Sequence, residues 1–379
     1  DAVYPMFATH NAQTIAAVHR MAAGRNFEFQ KLHGMGDDLY AEVIPADRLG
    51  VPCRVYAPVG SHEDLLPYLV RRLLENGANS SFVNRITDEA VPIEDLVQDP
   101  VETVSAFASI PHPRIPLPRD LYRAAGIDRD NSMGINLAND DQLRALAGQM
   151  ESALQDTWVA TPLVPGATPS AAMLDVTNPA DRREVVGRWQ PADEATVQRA
   201  LANAVAAQPG WDALPAASRA VILERAADLM EQRMPRFMAL CTKEAGKTIP
   251  DGVAEVREAV DFLRYYAAQA RELFGAPEAL PGPTGETNTL ALGGRGVFVC
   301  ISPWNFPLAI FTGQVAAALA AGNTAIAKPA EQTNLVGYYA VQLLHEAGVP
   351  VEVLQFVPGD GASVGAALTS DPRVAGVVF

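Results

Sequence analysis

Cysteine is scarce in this chain. Cys53, Cys241 and Cys300 are its three thiols, and none forms a C-x-x-C pair. A disulfide framework is therefore not expected, and a reduced, cytosolic setting fits best. Histidine is also sparse: six residues with no ligand spacing predict no metal. Basic charge is in deficit, with 29 Lys and Arg against 44 Asp and Glu and a net charge of −15. No Lys/Arg cluster offers a phosphate track, and both features argue against a nucleic-acid surface on this segment. Charge of either sign is missing from residues 296–327. That length alone would admit a membrane span, but Pro303, Asn305, Pro307, Gln314 and the Gly322–Asn323 break predict a buried α/β core instead. An initiator Met is lacking too: the chain opens on DAVYPMFATHN and closes on VAGVVF, apparently in mid-strand. A piece of a longer polypeptide is expected.

What is present is enough for substantial cores. The 379 residues are 49% hydrophobic, which predicts two or more domains. Residues 1–92 repeat strand then helix: Val3–Ala8 and Ala12–Met21, Phe27–Leu32 and Asp37–Ile44, Pro52–Ala57 and His62–Asn76. Three such units suit part of a (β/α)8 barrel or a doubly wound sheet. On the last helix Leu65, Leu66, Leu69, Val70, Leu73 and Leu74 form the predicted buried stripe. Residues 93–157 are set apart as a Pro-rich extended connector followed by a helix over Asn139–Asp156. A further domain is predicted over 158–379. Its helices fall at Asp193–Ala207, Pro215–Glu231, Met234–Ala245 and Val253–Leu273. Four strands then follow at 296–301, 324–328, 352–357 and 374–379 in a doubly wound parallel sheet.

Candidate sites lie just after strands, where open α/β sheets and barrels bind ligands. Lys328 and Glu331 could donate to and accept from ribose hydroxyls, or form a solvated turn. Asn305, between Pro303 and Pro307, could stabilise an oxyanion or only fix its own turn. The stretch from Gly359 to Gly365 resembles a phosphate loop, although its last spacing is one residue too long for G-x-G-x-x-G. Glu244-Ala245-Gly246-Lys247-Thr248 is not a P-loop, because Cys241 stands where the motif needs Gly and no strand precedes it. Arg71 and Arg72 could clamp a small carboxylate, or Arg71 could pair with Glu75 on the surface.

The segment GVFVCISPWNFPLAIFTGQVAAALAAGNTAIAKPAEQT, with its PWNFP and KPAEQT motifs, resembles the NAD(P)-dependent aldehyde dehydrogenase superfamily. FATHNAQT, EFQKLHGMG, CRVYAPVG and YLVRRLLENGANSSFVNR resemble the proline dehydrogenase barrel of the proline utilization A family of bifunctional flavoproteins. The linking NSMGINLAN and the helix EVREAVDFLRYYA are similar to that family as well. The resemblance implies the C-terminal part of a (β/α)8 proline dehydrogenase barrel, then an aldehyde dehydrogenase-like doubly wound NAD-binding domain. It implies oxidation of proline to glutamate by FAD-dependent and NAD-dependent steps, the second acting on L-glutamate γ-semialdehyde.

By the same resemblance Arg71 and Arg72 bind the proline carboxylate and Tyr56 packs on its ring. Thr9, His10, Asn11, Gln30, Leu32 and Glu75 contact FAD. Ile301, Trp304, Lys328, Glu331, Gly361, Gly365 and Phe379 form the NAD cleft, and Asn305 is the oxyanion donor. The family's nucleophilic Cys and general-base Glu are expected beyond Phe379; Cys241 and Cys300 are not candidates. A membrane quinone is the expected electron acceptor, with a homo-oligomer, peripheral membrane association and channelling of the intermediate also implied. The rivals are a single-function aldehyde dehydrogenase behind an unrelated barrel, and a DNA-binding repressor acting through a module outside this segment.

Overall fold

A β-strand of three residues, Met6–Ala8 (β1), opens the first of two units that span Asp1–His112 and Pro113–Phe379. This computed structural model describes residues 3–77, 85, 88, 90–112 and 114–379, leaving out the side chains of 73 and 75–77. In the first unit β1 leads to α1 (Ala12–Ala22), β2 (Glu28–Leu32), α2 (Asp37–Ala41), β3 (Cys53–Tyr56) and α3 (His62–Gly77). The strands pair in parallel in chain order, β1-β2-β3. Such sequential order is that of a (β/α) barrel wall. Ile15, Phe27, Phe29, Tyr40, Val43 and Val51 make its core.

The α3 stripe does not follow expectation. Leu66, Leu69, Val70 and Leu74 are 59%, 51%, 45% and 72% exposed, and Leu65 is half-buried. The core of this unit gathers around the middle strand β2, whereas α3 follows β3 at the sheet edge. An apolar stripe marks a face that needs a partner, and the described residues of this unit provide none. Leu73 of the stripe lies outside the described side chains.

The Pro-rich connector is likewise less extended than predicted. It contains short helices α4 (Ile93–Leu96), α5 (Pro100–Ser105) and α6 (Leu121–Ala124), with a 3₁₀ turn over Pro118–Asp120. Pro92 precedes α4, while Pro100 and Pro118 occupy first-turn positions, where a missing N–H leaves nothing unsatisfied. Prolines spaced this way start helices instead of preventing them.

The second unit continues with α7 (Asp140–Ala153) and a sheet of β4 (Trp158–Ala160), β5 (Leu174–Asn178) and β6 (Asp181–Trp189), ordered β4-β6-β5. Helices α8 (Glu194–Ala213), α9 (Ala216–Gln232), α10 (Met234–Ala245) and α11 (Ile249–Phe274) follow. A hairpin, β7 (Glu278–Leu280) and β8 (Asn288–Leu290), precedes the central sheet. That sheet is β9 (Val297–Ile301), α12 (Ala309–Ala320), β10 (Thr324–Lys328), α13 (Asn334–Ala347), β11 (Leu354–Phe356), α14 (Ala366–Thr369) and β12 (Val374–Val378). Its strands are all parallel, in the order β11-β10-β9-β12.

Alternation of side chains along these strands builds two layers. Val297, Val299, Ile326 and Val357 pack with Val197, Ala200, Leu201 and Ala204 of α8. Cys300, Ala325, Ala327 and Phe356 face the other way, toward the larger core that α9 to α13 complete. The uncharged stretch is thus a buried strand, turn, helix and strand. Among the described residues no helix is long and apolar enough to cross a membrane.

A buried glutamate joins two of the helices behind the sheet. The carboxyl of Glu244, at the end of α10, accepts from the Leu335 and Val336 N–H groups at 2.8 Å each, at the start of α13. Burial pushes its pKa up to about 8 from 4.5, against the opposing effect of those two bonds. An acid with a raised folded-state pKa binds its proton more tightly folded than unfolded. The stability it adds is complete below about pH 4.5 and is lost as pH rises through about 8. Glu244→Gln is expected to flatten the pH dependence of Tm between pH 5 and 8. A wild-type slope left intact in the variant, measured by calorimetry, would assign that slope elsewhere.

Candidate functional site

In the first unit the predicted residues gather at the carboxyl edge of the three parallel strands. Thr9, His10 and Asn11 follow β1; Gln30 lies in the middle of β2, beside the end of β1, and Leu32 ends β2; Tyr56 ends β3, in register with Leu32. Asn11 caps α1, its Oδ1 accepting from the Gln13 and Thr14 N–H groups at 2.9 and 3.2 Å. Thr9 Oγ1 in turn accepts from the Asn11 N–H at 3.1 Å. Tyr40 Oη lies 2.8 Å from the Thr9 carbonyl and 3.1 Å from the Gln30 carbonyl, which ties the two strands together. The Gln30 amide lies against Met6 Sδ at 3.3 Å.

His10 has a defined tautomer. The Leu32 N–H donates to its Nε2 at 3.2 Å, which leaves Nδ1 as the ring N–H donor. Burial lowers its pKa, and the positive charges of Lys31 and Arg72 lower it further, in keeping with an Nε2 that accepts a hydrogen bond. Arg72 therefore acts within electrostatic reach of His10, and its guanidinium lies 5.2 Å from the Tyr68 ring centroid. Arg71 is exposed on the same helix. Tyr56 is 38% exposed. Glu75 belongs to α3 by its backbone, and its side chain lies outside the described residues.

In the second unit a second set converges at the carboxyl edge of the β11-β10-β9-β12 sheet. Ile301 ends β9, and its carbonyl accepts from Gln314 Nε2 at 3.1 Å. The Ser302 N–H reaches the Lys328 carbonyl at 3.2 Å, drawing the ends of β9 and β10 together. Between Pro303 and Pro307 the turn presents Trp304, 59% exposed, and Asn305, also exposed. Among the described residues the Asn305 side chain makes no hydrogen bond, so the prolines, not its amide, hold this turn.

Lys328 is 4% exposed, with one N–H directed to the Pro329 carbonyl at 3.2 Å. Burial lowers its pKa, while Glu331 and Asp360 oppose that effect. Glu331 Oε1 accepts from the Gly361 N–H at 3.1 Å and so bridges the loops after β10 and β11. Asp360 caps the π turn Gly361–Gly365 by accepting from the Ser363 N–H at 2.7 Å. A Cβ at Gly361 would meet nothing within 4 Å, and one at Gly365 would stand 3.5 Å from Lys328 Cε. This edge therefore holds a buried ammonium, an adjacent carboxylate and open room over a bare backbone, which fits a ribose and pyrophosphate. Phe379, 94% exposed, follows β12 at the same edge.

Neither thiol of this unit suits nucleophilic attack. Cys300 is buried within β9 and burial pushes its pKa up to about 12; Cys241 is buried in α10 and raised as well. Gly246 ends α10 in the left-handed region at φ +69°, and Thr248 caps α11, so the EAGKT stretch joins two helices.

The sequence reading gave no supporting role to three side chains behind this edge: Gln314, Glu244 and Glu255. Glu255 and Arg264 share a face of α11 with Gly252, Val256, Ala259, Val260 and Leu263, all buried. A charge on an apolar helical face was the available signal.

Comparison with known proteins extends this geometry. An aldehyde dehydrogenase family model matches residues 167–379, and a proline dehydrogenase model matches residues 1–85. Bifunctional protein PutA of Klebsiella aerogenes is 52% identical across the whole chain, which spans 28% of that protein's length. A 1-pyrroline-5-carboxylate dehydrogenase of Anoxybacillus flavithermus is 45% identical over 53% of this chain and 39% of its own. Among solved structures, a bifunctional proline utilization A superposes with a TM-score of 0.73 at 48% identity, covering 99% of this chain and 35% of that one. Proline utilization A of Bdellovibrio bacteriovorus reaches 0.78 at 31% identity, covering 99% and 38%.

Proposed function

Because the chain belongs to the aldehyde dehydrogenase family and carries a proline dehydrogenase match ahead of that region, we propose that it works within a bifunctional enzyme oxidising proline to glutamate. Residues 1–92 would contribute to the proline dehydrogenase barrel, 93–157 would connect, and 158–379 would supply the NAD-binding part of the second enzyme. When bound, FAD and NAD⁺ supply the electron acceptors for the two oxidations. A membrane quinone would take electrons from the first site, with a homo-oligomer as the working form and the inner membrane surface as its place of action. The observation that carries this reading is the meeting of Lys328, Glu331 and Gly361 at the sheet edge that also bears the Asn305 turn.

The chain's own residues have definite tasks in this reading. Arg71 and Arg72 would bind the proline carboxylate by charge-assisted bonds, and Tyr56 would cover the ring. Thr9, His10, Asn11, Gln30, Leu32 and Glu75 would hold FAD, with His10 offering Nδ1–H because Leu32 occupies Nε2. Lys328 would donate to a ribose hydroxyl and Glu331 would accept from one. Ile301, Trp304 and Phe379 would line the cleft, while Gly361 and Gly365 would let the dinucleotide approach the backbone. Asn305 would donate to the aldehyde oxygen as negative charge gathers on it.

Proline-dependent NADH formation by the full-length protein, with a quinone analogue present, tests both halves at once. NADH from the semialdehyde but none from proline would favour the single-function rival. The same assay tests cofactor choice. Glu331 beside a 2′-phosphate sets like charges together, so kcat/KM should fall about 10-fold or more with NADP⁺. Equal values with the two cofactors would remove Glu331 from the ribose.

A further inference from the structure

The turn that bears Asn305 is supported by a side chain outside the cleft. Leu308, the N-cap residue of α12, has no side-chain acceptor to offer the helix. Glu255 of α11, 2% exposed, supplies one: its Oε2 accepts from the Leu308 and Ala309 N–H groups at 3.2 and 2.9 Å. Its Oε1 stands 2.9 Å from Lys247 Nζ. The same ammonium lies 4.5 Å from the centroid of Phe306, the residue next to Asn305. The Lys247 backbone lies between the left-handed Gly246 and the helix cap Thr248.

We infer that Lys247 is a positioning residue for Asn305, its ammonium joining buried Glu255 to the Phe306 ring and so setting where the Asn305 amide points. The Lys247 side chain is 16% exposed, so its contacts with the carboxylate and the ring are made largely out of water, where they count for most. The prolines limit the backbone of the turn, yet the orientation of its exposed tip is left to contacts of this kind. The inference rests on reading Asn305 as the oxyanion donor, and the experiment separates the two.

In the full-length enzyme, Lys247→Met should lower kcat for semialdehyde oxidation by about 10-fold or more, because small misplacements of a reacting group are costly. The Kd for NAD⁺ should stay within about twofold, and Lys247→Arg should recover most of the rate, since guanidinium also pairs with carboxylate and aromatic face. In an Asn305→Ala background the Lys247→Met change should cost nothing more. A loss that multiplies with that of Asn305→Ala, or an unchanged kcat in Lys247→Met alone, would overturn the inference. If Asn305→Ala alone leaves kcat intact, the oxyanion reading itself fails. Should Lys247→Met misfold around the buried Glu255 charge, the double variant Lys247→Met with Glu255→Gln removes both charges and is judged by the same criteria.

Discussion

Replacing Asn305 with alanine in the full-length enzyme is expected to lower kcat for semialdehyde oxidation by about 10²–10³, the usual cost of losing one oxyanion donor. The position is well suited to the test. Asn305 is exposed and, among the described residues, its amide makes no hydrogen bond, so truncation removes chemistry without leaving a buried group unsatisfied. NAD⁺ affinity and Tm should therefore hold, and proline oxidation should be untouched. Asn305→Asp should be at least as damaging, because it puts an acceptor and a negative charge where a donor is required. Normal semialdehyde turnover in Asn305→Ala would return the residue to a turn position with no part in the reaction.

The arginine pair should produce the next largest effect, and on the other activity. Each charge-assisted bond to a carboxylate contributes roughly 1.5–3 kcal/mol. Arg71→Met or Arg72→Met should raise KM for proline by about 10–100-fold, with flavin retained and NAD-dependent oxidation at its normal rate. Lysine should rescue poorly at either position, since a point charge cannot replace the planar fork. Arg72 already acts on His10, so its loss should also raise the His10 pKa slightly, a change that NMR titration would detect and that Arg71→Met should not produce. Flavin-loaded variants with unaltered KM would mean that α3 presents only a solvated face.

Sequence reading reached the central sheet because each of its parts has a local signature. The runs at 297–301 and 324–328 are short, apolar and closed by Pro or Gly, so the strands and their carboxyl edge could be placed from local sequence alone. Of the β5–β6 hairpin only an early strand near Asn178-Pro179-Ala180 was legible, because Arg182, Arg183 and Glu184 break the alternation on a ribbon that is mostly exposed. The start of α12 is not legible locally, because Leu308 is not a cap-forming residue and the real cap comes from Glu255, far away in the chain. The α3 stripe was legible as a stripe but not as covered, since periodicity records which face is apolar and says nothing of what packs on it. His10 was reached through the family resemblance, whereas its tautomer depends on a backbone N–H 22 residues on.

Helix α12 borrows its ends. Glu255 closes the first turn, and at the last turn Trp211 Nε1 donates to the Leu319 carbonyl at 3.0 Å and Arg219 Nε to that of Ala320 at 3.2 Å. A helix finished by its neighbours is not a portable module. Exchanging residues 297–379 between members of the family, to move cofactor preference from one to another, would carry the cleft across without its supports. Such a chimera would keep every residue expected to meet the dinucleotide and still frame it wrongly, unless positions 211, 219, 247 and 255 travelled with the graft.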